Sequence, residues 1–408
     1  MSKFSDYQQN FFSFIWHALF LAFASIFIDV NTVLTSLILN IGGSSIHVGI
    51  LTGISIGLPM VMQLVFAAFL SGRTRKKPYL ILGIYLRVIS LAGMGHALSI
   101  SNSRTPGELL VLIFLWVSLF AISGAFASIS YTDLLGKIFI GSQRERFLVF
   151  KQFITALGML ISAIVVRYLV VLLPYPDNYA LIFFIASGLL LIATFGFLMI
   201  KEERVLKPKT QRMIEVLKAI PQLLRSDKNL INYIILINLM SLGLTIIPFY
   251  VAFANSLFGL DANRIGNFLL FQFTGMILST FIWKWVVRHF RFKGLAYCSA
   301  VFGSIIPIAA IVLARYGIDV FQWVFFIAGF FISAQMIFIQ GMLLEITNNN
   351  NRAIYTGISG TLSIAAVLFP LVAGVLIEIF GYSIIFGIVS PLIISSFYFL
   401  RNIKCYGH

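Results

Sequence analysis

The stretch Ala68–Leu80, which reads A-F-L-S-G-R-T-R-K-K-P-Y-L, separates two long apolar runs of the chain. It carries four cations within the segment Arg73–Lys77, which we call the basic connection. A bilayer cannot host four neighbouring cations in its hydrocarbon core, so the basic connection lies outside that core. Loops rich in Lys and Arg stay on the cytoplasmic side of a membrane, so this stretch also predicts the orientation of the chain.

The composition of the chain indicates a membrane protein. Its 408 residues are 60% hydrophobic and 11% charged, with a mean hydropathy of +0.98. A soluble protein of this size needs a more charged exterior, whereas repeated apolar runs of about 20 residues are typical of membrane spans. The net charge of +15 comes from cations in short loops between the runs. This distribution favours a topology signal over a nucleic-acid partner.

The apolar runs predict an all-α membrane protein with twelve transmembrane helices in two pseudo-symmetric six-helix bundles. We expect residues 1–200 to form the first bundle and residues 229–408 to form the second bundle and a short tail. Residues 201–228 are the longest polar stretch and are predicted to be a linker containing a short amphipathic helix. The predicted spans cover about residues 13–40, 46–70, 78–99, 109–132, 147–173, 179–200, 230–257, 263–287, 294–314, 319–344, 353–379 and 382–400.

The cations of the chain concentrate in every second connection. The linker and the connections after spans two, four, eight and ten hold most of them. The positive-inside rule then predicts a multi-pass protein of the bacterial cytoplasmic membrane with both termini in the cytoplasm. Each half also has an acid near the end of its fourth span, followed by arginine. These side chains and the basic connection are the predicted cytoplasmic gate, comprising Arg73, Lys76, Lys77, Asp133, Arg144, Arg146, Glu345 and Arg352.

Two six-span halves joined by a linker resemble the major facilitator superfamily of transporters. The signature of that family after span two is roughly G-x-L-x-D-R-x-G-R-R. Gly72 stands where the family has its aspartate, and Arg75 stands where it has glycine. The remaining matched positions are Ala68, Leu70, Arg73, Lys76 and Lys77. The resemblance implies transport by alternating access, with spans one, four, seven and ten lining a central cavity.

Asp29 is the most informative single residue because it is an acid in the middle of the first span. Ser25, Asp29, Thr32 and Ser36 follow helical spacing and would share one face, which the resemblance directs to the substrate path. A bare carboxylate is costly in hydrocarbon, so Asp29 is predicted to couple transport to protons or cations or to bind cargo. A structural ion pair is the alternative. Arg87 in span three is a possible partner, or a cation that reaches the headgroups.

Polar and aromatic side chains in spans four, seven and ten would line the same cavity. The predicted lining residues are Trp116, Ser123, Asn238, Ser241, Thr245, Gln335 and Gln340. A mildly polar, aromatic cavity with one acid favours an amphiphilic or weakly cationic solute. Ordinary helix packing is the alternative for the aromatic side chains.

Gly49, Gly53 and Gly57 form a G-x-x-x-G-x-x-x-G pattern in span two, which we call the glycine row. Small residues at this spacing let two helix backbones approach closely. The resemblance places span two at the interface between the halves, where rocking occurs. Packing within one half is the alternative.

The sequence contains no phosphate-binding loop, nucleophile elbow or metal-ligand cluster, so we expect neither an enzyme nor a cofactor. The predicted function is secondary active transport of a small molecule by a monomer in contact with membrane lipid. A metal-ion or siderophore-type transporter is one alternative. A non-transporting receptor or scaffold on the same fold is another.

Overall fold

The structure is a computed structural model of the chain. It describes residues 2–71, 73–139, 142–200, 202, 221, 224–347 and 352–404. The predicted amphipathic helix of the linker lies almost entirely outside these residues.

The described residues are almost entirely helical. In the first half, span one comprises Ser2–Phe27 and Thr35–Asn40, joined by a π-helix over Val30–Leu34. Span two comprises Ser45–Thr52 and Leu58–Ser71, joined by a π-helix over Gly53–Gly57. Spans three to six are Lys77–Ser99, Pro106–Ile138, Ser142–Leu172 and Asp177–Leu198.

The second half contains more interrupted helices. Span seven comprises Lys228–Thr245 and Ile247–Phe258, and one helical stretch covers Ala262–Leu313. Span ten comprises Ile318–Phe321 and Trp323–Ile346. Spans eleven and twelve comprise Arg352–Thr361, Ala365–Phe380, Tyr382–Ile394 and Ser396–Asn402.

Eleven helical stretches in the described chain are long and apolar enough to cross a membrane. One of them, over Ala262–Tyr316, has 55 residues. At 1.5 Å per residue it would reach about 80 Å, whereas a bilayer core is about 30 Å thick. Its backbone breaks at Arg291, where φ is 59° and ψ is −170°. The stretch therefore supplies spans eight and nine, and the predicted twelve-helix fold is confirmed.

Polar side chains fix several helix starts, as the local sequence dictates. Thr105 begins span four with a capping box, because its hydroxyl accepts from the Glu108 N–H and the Glu108 carboxylate accepts from the Thr105 N–H. Asp227 caps span seven through the N–H groups of Asn229 and Leu230. Each cap satisfies backbone donors that the first helical turn leaves unpaired.

The helices form two compact units whose boundaries differ from the predicted halves in one place. Unit 1 contains residues 1–29 and 61–213, and unit 2 contains residues 30–60 and 214–408. Residues 30–60, which end span one and begin span two, therefore group with the C-terminal helices. In unit 1, span three packs against spans four and six, and span one packs against spans five and six.

Candidate functional site

Asp29 lies where the α-helix of span one is interrupted. The helix Ser2–Phe27 ends before it, and the π-helix Val30–Leu34 follows it. A π-turn bonds each residue to the fifth one along, which changes the angular spacing of the side chains. The predicted polar face therefore does not continue unbroken from Ser25 through Asp29 to Thr32 and Ser36.

The hydroxyl groups of this segment bond to nearby backbone. Ser25 Oγ donates to the Leu21 carbonyl at 2.6 Å, and Ser36 Oγ donates to the Val33 carbonyl at 2.9 Å. Thr32 and Ser36 are buried, and Asp29 and Ser25 are half-buried. Both Thr32 and Ser36 belong to unit 2, whereas Asp29 is the last residue of the first segment of unit 1.

Asn238 connects span seven to an interruption in span eleven. Its amide nitrogen donates to the Leu362 carbonyl at 2.8 Å, and its amide oxygen accepts from the Ala365 N–H at 2.9 Å. These two backbone groups flank the gap between helices Arg352–Thr361 and Ala365–Phe380. Asn238 thus replaces hydrogen bonds that the broken helix cannot make, which is a structural use of a residue predicted to line the cavity.

The other polar residues predicted to line the cavity also bond largely to backbone. Ser241 donates to the Asn238 carbonyl, Thr245 to the Ser241 carbonyl, and Gln335 to the Met240 carbonyl. The second amide atom of Gln335, Oε1, is buried without a hydrogen-bond partner in the part of the chain described. The side chain of Gln340 lies outside the described residues.

Span four presents small and aromatic side chains to span three. Ser123 Oγ is used within its own helix, because it donates to the Leu119 carbonyl at 2.5 Å. The Trp116 ring packs on Gly93, where an added Cβ would lie 2.4 Å from it. Trp116 is therefore a packing residue between spans three and four.

Arg87 lies near the middle of span three, ten residues after Lys77 at the helix start. Its guanidinium carbon lies 4.1 Å from the centroid of the Phe120 ring. Its Nε is buried and donates no hydrogen bond within the described residues. The ion pair with Asp29 that the sequence suggested is not among the contacts of Arg87, which instead stacks on span four.

A second basic group, missed by the sequence analysis, lies in the same unit. Lys151 of span five places its Nζ 4.9 Å from the centroid of the Tyr131 ring. The Tyr131 hydroxyl is buried without a partner among the residues described. His17 of span one is buried beside Tyr131, with ring centroids 6.2 Å apart, and its Nδ1 donates to the Ala193 carbonyl at 3.2 Å. A lysine within a predicted span was the signal that could have identified this group.

The basic connection is held by an acid that the sequence analysis also missed. The Glu202 carboxylate accepts hydrogen bonds from the backbone N–H groups of Lys76 at 2.7 Å and of Lys77 at 2.9 Å. These N–H groups begin span three, where the helix dipole favours negative charge. Glu202 therefore provides a carboxylate at the basic connection, in which Gly72 replaces the family's aspartate.

The cations of the basic connection differ in their surroundings. Lys76 is buried and donates to the Leu70 carbonyl, and burial lowers the pKa of its ammonium group. Lys77 Nζ donates to the Ile200 carbonyl at 2.7 Å. Arg73 is exposed, with its guanidinium carbon 4.6 Å from the Phe69 ring centroid. The segment is therefore fixed mainly through Lys76 and Lys77.

The two predicted gate acids each form an ion pair among the described residues. Asp133 forms an ion pair with Lys137, one helical turn later, at 2.5 Å. Glu345 accepts from Nε of Arg291 at 2.9 Å, at the break between spans eight and nine. The side chains of three further predicted gate residues lie outside the described residues, namely Arg144, Arg146 and Arg352.

The glycine row packs against span eleven within unit 2. A Cβ added to Gly49 would lie 2.3 Å from the Pro370 carbonyl oxygen, and one added to Gly57 would lie 2.7 Å from the Val367 Cα. A Cβ on Gly53 would lie 3.3 Å from the Leu371 side chain. Gly49 and Gly57 thus allow close backbone approach, as predicted for small residues at this spacing.

The number, length and apolar composition of the described helices are those of a multi-pass membrane protein. The sequence profile of the MFS/sugar transport protein family matches residues 41–400, so the chain belongs to that family. The predicted membership of the major facilitator superfamily is confirmed. Among curated proteins, none matches the sequence at a significant level.

Solved transporter structures share this fold across almost the whole chain. The nucleoside transporter NupG has a TM-score of 0.68 at 14% identity, with 98% of this chain and 99% of that chain covered. The xylose transporter XylE from E. coli has a TM-score of 0.65 at 14% identity, with 99% and 97% covered. A POT family transporter in complex with 5-aminolevulinic acid has a TM-score of 0.67 at 13% identity, with 98% and 96% covered. Identities this low support the fold alone.

Proposed function

We propose that the protein moves a small amphiphilic solute across the cytoplasmic membrane by alternating access, and that Asp29 couples this movement to a proton or cation. The observation that carries the proposal is the position of Asp29 at the interruption of span one. Transporters use interrupted membrane helices to bind ions and substrates, because the break exposes backbone groups that a continuous helix would keep paired. A carboxylate at such a break can bind and release a cation during the cycle.

The division of spans one and two between the units supports the alternating-access part of this proposal. Both spans contribute residues to each unit, and each contains a π-helix close to a unit boundary. A π-turn is a local defect at which a helix can bend with little loss of hydrogen bonding. We infer that bending at Val30–Leu34 and Gly53–Gly57 accommodates the movement of one unit against the other.

The gate is proposed to depend on the basic connection. Glu202 binds the backbone at the start of span three, and the Asp133–Lys137 pair lies nearby, with Lys137 Nζ 3.9 Å from the Glu202 carboxylate. A carboxylate can exchange one set of donors for another without a change in covalent structure. Glu202 is therefore our candidate for the residue that holds the start of span three in one of the two conformations of the transport cycle.

The coupling role of Asp29 is tested by proton flux in proteoliposomes that enclose a pH-sensitive dye. Xylose, uridine and dialanine serve as first test solutes, because the solved neighbours include transporters of sugar, nucleoside and peptide. With a solute that evokes flux, Asp29→Asn should abolish the flux and retain solute exchange. Asp177→Asn, at the exposed start of span six, is the matched control. Flux of normal size in Asp29→Asn would assign Asp29 a structural role.

The proposed orientation is tested by cysteine labelling from outside intact cells. A membrane-impermeant reagent should reach a cysteine at Asn102, between spans three and four, and should miss one at Lys209 in the linker. Efficient external labelling at Lys209 would reverse the orientation and leave the fold unchanged.

A further inference from the structure

We propose that Arg87 binds an anionic group, a carboxylate or a phosphate, carried by an amphiphilic cargo, and that Lys151 is a second cation on the path of that group. The inference rests on the proposed transport function and assigns its substrate class. It changes the expectation drawn from the sequence, which favoured an amphiphilic or weakly cationic solute because the predicted cavity was mildly polar and aromatic with one acid, Asp29.

Arg87 is a half-buried cation with a buried Nε, and it pairs with no acid among the described residues. Its Nε is enclosed and makes no hydrogen bond with any described residue, and its guanidinium lies over the Phe120 ring. Stacking on an aromatic ring uses the face of the guanidinium plane and leaves its edge, with the N–H donors, available. That edge is the part of arginine that binds carboxylate and phosphate in a bidentate manner.

Lys151 repeats this arrangement on span five. Its ammonium group lies against the face of Tyr131, and no carboxylate pairs with it among the described residues. The buried Tyr131 hydroxyl has no partner in the described part of the chain and can donate a hydrogen bond to an anion. The two cations thus share a pattern in which an aromatic ring covers one side of the charge and a donor remains unused.

His17 lies beside the Lys151–Tyr131 pair. Its buried ring has its centroid 6.2 Å from that of Tyr131, the ring against which the Lys151 ammonium lies. The His17 ring stacks near Phe197, with centroids 4.1 Å apart, and donates to the Ala193 carbonyl. Its position is therefore fixed by spans one and six, and its ring forms part of the surroundings of the Lys151–Tyr131 pair.

A cation at the depth of Arg87 that pairs with no acid among the described residues is costly, and this cost favours a ligand of opposite charge. Membrane-embedded cations are normally paired or mark the path of a substrate or ion. Arg87 lies about 15 Å along its helix from Lys77, close to the middle of a bilayer core. Lys151 lies 21 residues before the end of its helix at Leu172, or about 31 Å, which is one core thickness. An anion entering past Lys151 would therefore meet Arg87 deeper in the membrane.

Binding of four ring-matched probes to purified protein in a neutral detergent tests the proposal. The probes are phenylacetate and benzyl phosphate as anions, 2-phenylacetamide as the neutral analogue and phenethylamine as the cation. At equal ionic strength, the two anions should raise the melting temperature and the other two should not. Arg87→Gln should weaken anion binding about tenfold or more, because a charge-assisted hydrogen bond is lost.

Matched variants separate the site from the general charge of the protein. Arg104→Gln removes an exposed cation between spans three and four and should leave anion binding unchanged. Arg87→Lys should recover part of the affinity, and Lys151→Gln provides an independent test if Arg87→Gln fails to fold. Equal binding of the amide and the anions, equal losses in Arg87→Gln and Arg104→Gln, or no anion binding would overturn the proposal.

A lipid headgroup could supply the same chemistry as a soluble anion. Nanodiscs of phosphatidylglycerol and of phosphatidylcholine separate these sources. Stabilisation by phosphatidylglycerol that disappears in Arg87→Gln would support the site and identify its anion as lipid. Because binding is measured without a gradient, anion binding with no transport would contradict the transport function alone. Transport of a cationic solute by Arg87→Gln at the normal rate would contradict the anion site alone.

Discussion

Span two is held by different kinds of interaction at its two ends. The glycine row, toward its start, packs directly on the backbone of span eleven in unit 2. The basic connection, beyond its end, is held in unit 1 by hydrogen bonds from Lys76 and Lys77 to a carboxylate. Close packing requires the absence of a side chain, whereas the basic connection requires the presence of a charge.

Only the charged contacts at the basic connection are suited to open and close reversibly. A carboxylate can release one donor and accept another, so contacts of this type are suited to repeated opening. Backbone packing at the glycine row depends on shape and has no charge to exchange, and a single methyl group is enough to block it. We therefore expect substitutions in the glycine row to impair folding, and substitutions around Glu202 to shift the balance between conformations.

The largest effect is expected for Gly49→Ala. The new Cβ would lie 2.3 Å from the Pro370 carbonyl oxygen, and a backbone atom cannot move aside as a side chain can. We expect a loss of roughly 2–3 kcal/mol in the free energy of unfolding, measured from the melting behaviour of purified protein. Gly53→Ala is the matched control, because its Cβ would be nearest to the flexible Leu371 side chain at 3.3 Å and would lie at an ordinary contact distance of 3.5 Å from the Val367 carbonyl oxygen. Equal losses in both variants would show that backbone approach does not distinguish the two positions.

A smaller effect is expected for Glu202→Ala. This substitution removes the acceptor for two N–H groups at the start of span three and should cost about 2 kcal/mol. Glu202→Gln keeps an oxygen acceptor and should recover about half of that loss. Asp133→Asn is the control, because the Asp133 side chain is 40% exposed and pairs within its own helix. An equal loss of free energy of unfolding in Glu202→Ala and Asp133→Asn would show that the hydrogen bonds to Glu202 do not hold the basic connection.

The smallest effect is expected at Arg291, the counterpart of the basic connection in unit 2. Its φ of 59° and ψ of −170° fall in a region that favours glycine. Its side chain is 53% exposed, so the ion pair with Glu345 contributes about 1 kcal/mol. Arg291→Gly loses the pair and relieves the backbone, whereas Arg291→Ala loses the pair alone. In thermal unfolding, the free energy of unfolding of Arg291→Gly should be about 1 kcal/mol higher than that of Arg291→Ala. The reverse order would show that the backbone at Arg291 is unstrained.

The sequence predicted the span count and the family because both depend on local patterns. Apolar runs and the cations between them repeat along the chain, and each can be recognised within about 20 residues. The interruption of the predicted polar face around Asp29 could not be foreseen. The π-helix after Asp29 breaks the 3.6-residue period on which that face was based. Local periodicity carries no information about where a helix departs from α geometry.

The side chains that hold the basic connection and bridge span eleven depend on distant partners. Glu202 binds Lys76 from 126 positions away in the sequence, and Asn238 bonds to Leu362 from 124 positions away. From sequence alone, Glu202 therefore falls in the predicted linker and Asn238 in the predicted cavity. Residue type and helical position indicated that Asn238 has a specific role, but only the fold shows which backbone groups its amide hydrogen-bonds.

The break at Arg291 has a consequence for proteolysis. In unit 1, Arg73 and Arg75 lie in an exposed, non-helical connection, which is the kind of segment that proteases cleave first. In unit 2, Arg288 and Arg291 are also exposed, but a helix runs up to Arg291 and resumes directly after it. Trypsin must unwind helical turns to bind there, so it should cut the chain after Arg73 or Arg75 well before it cuts after Arg288 or Arg291.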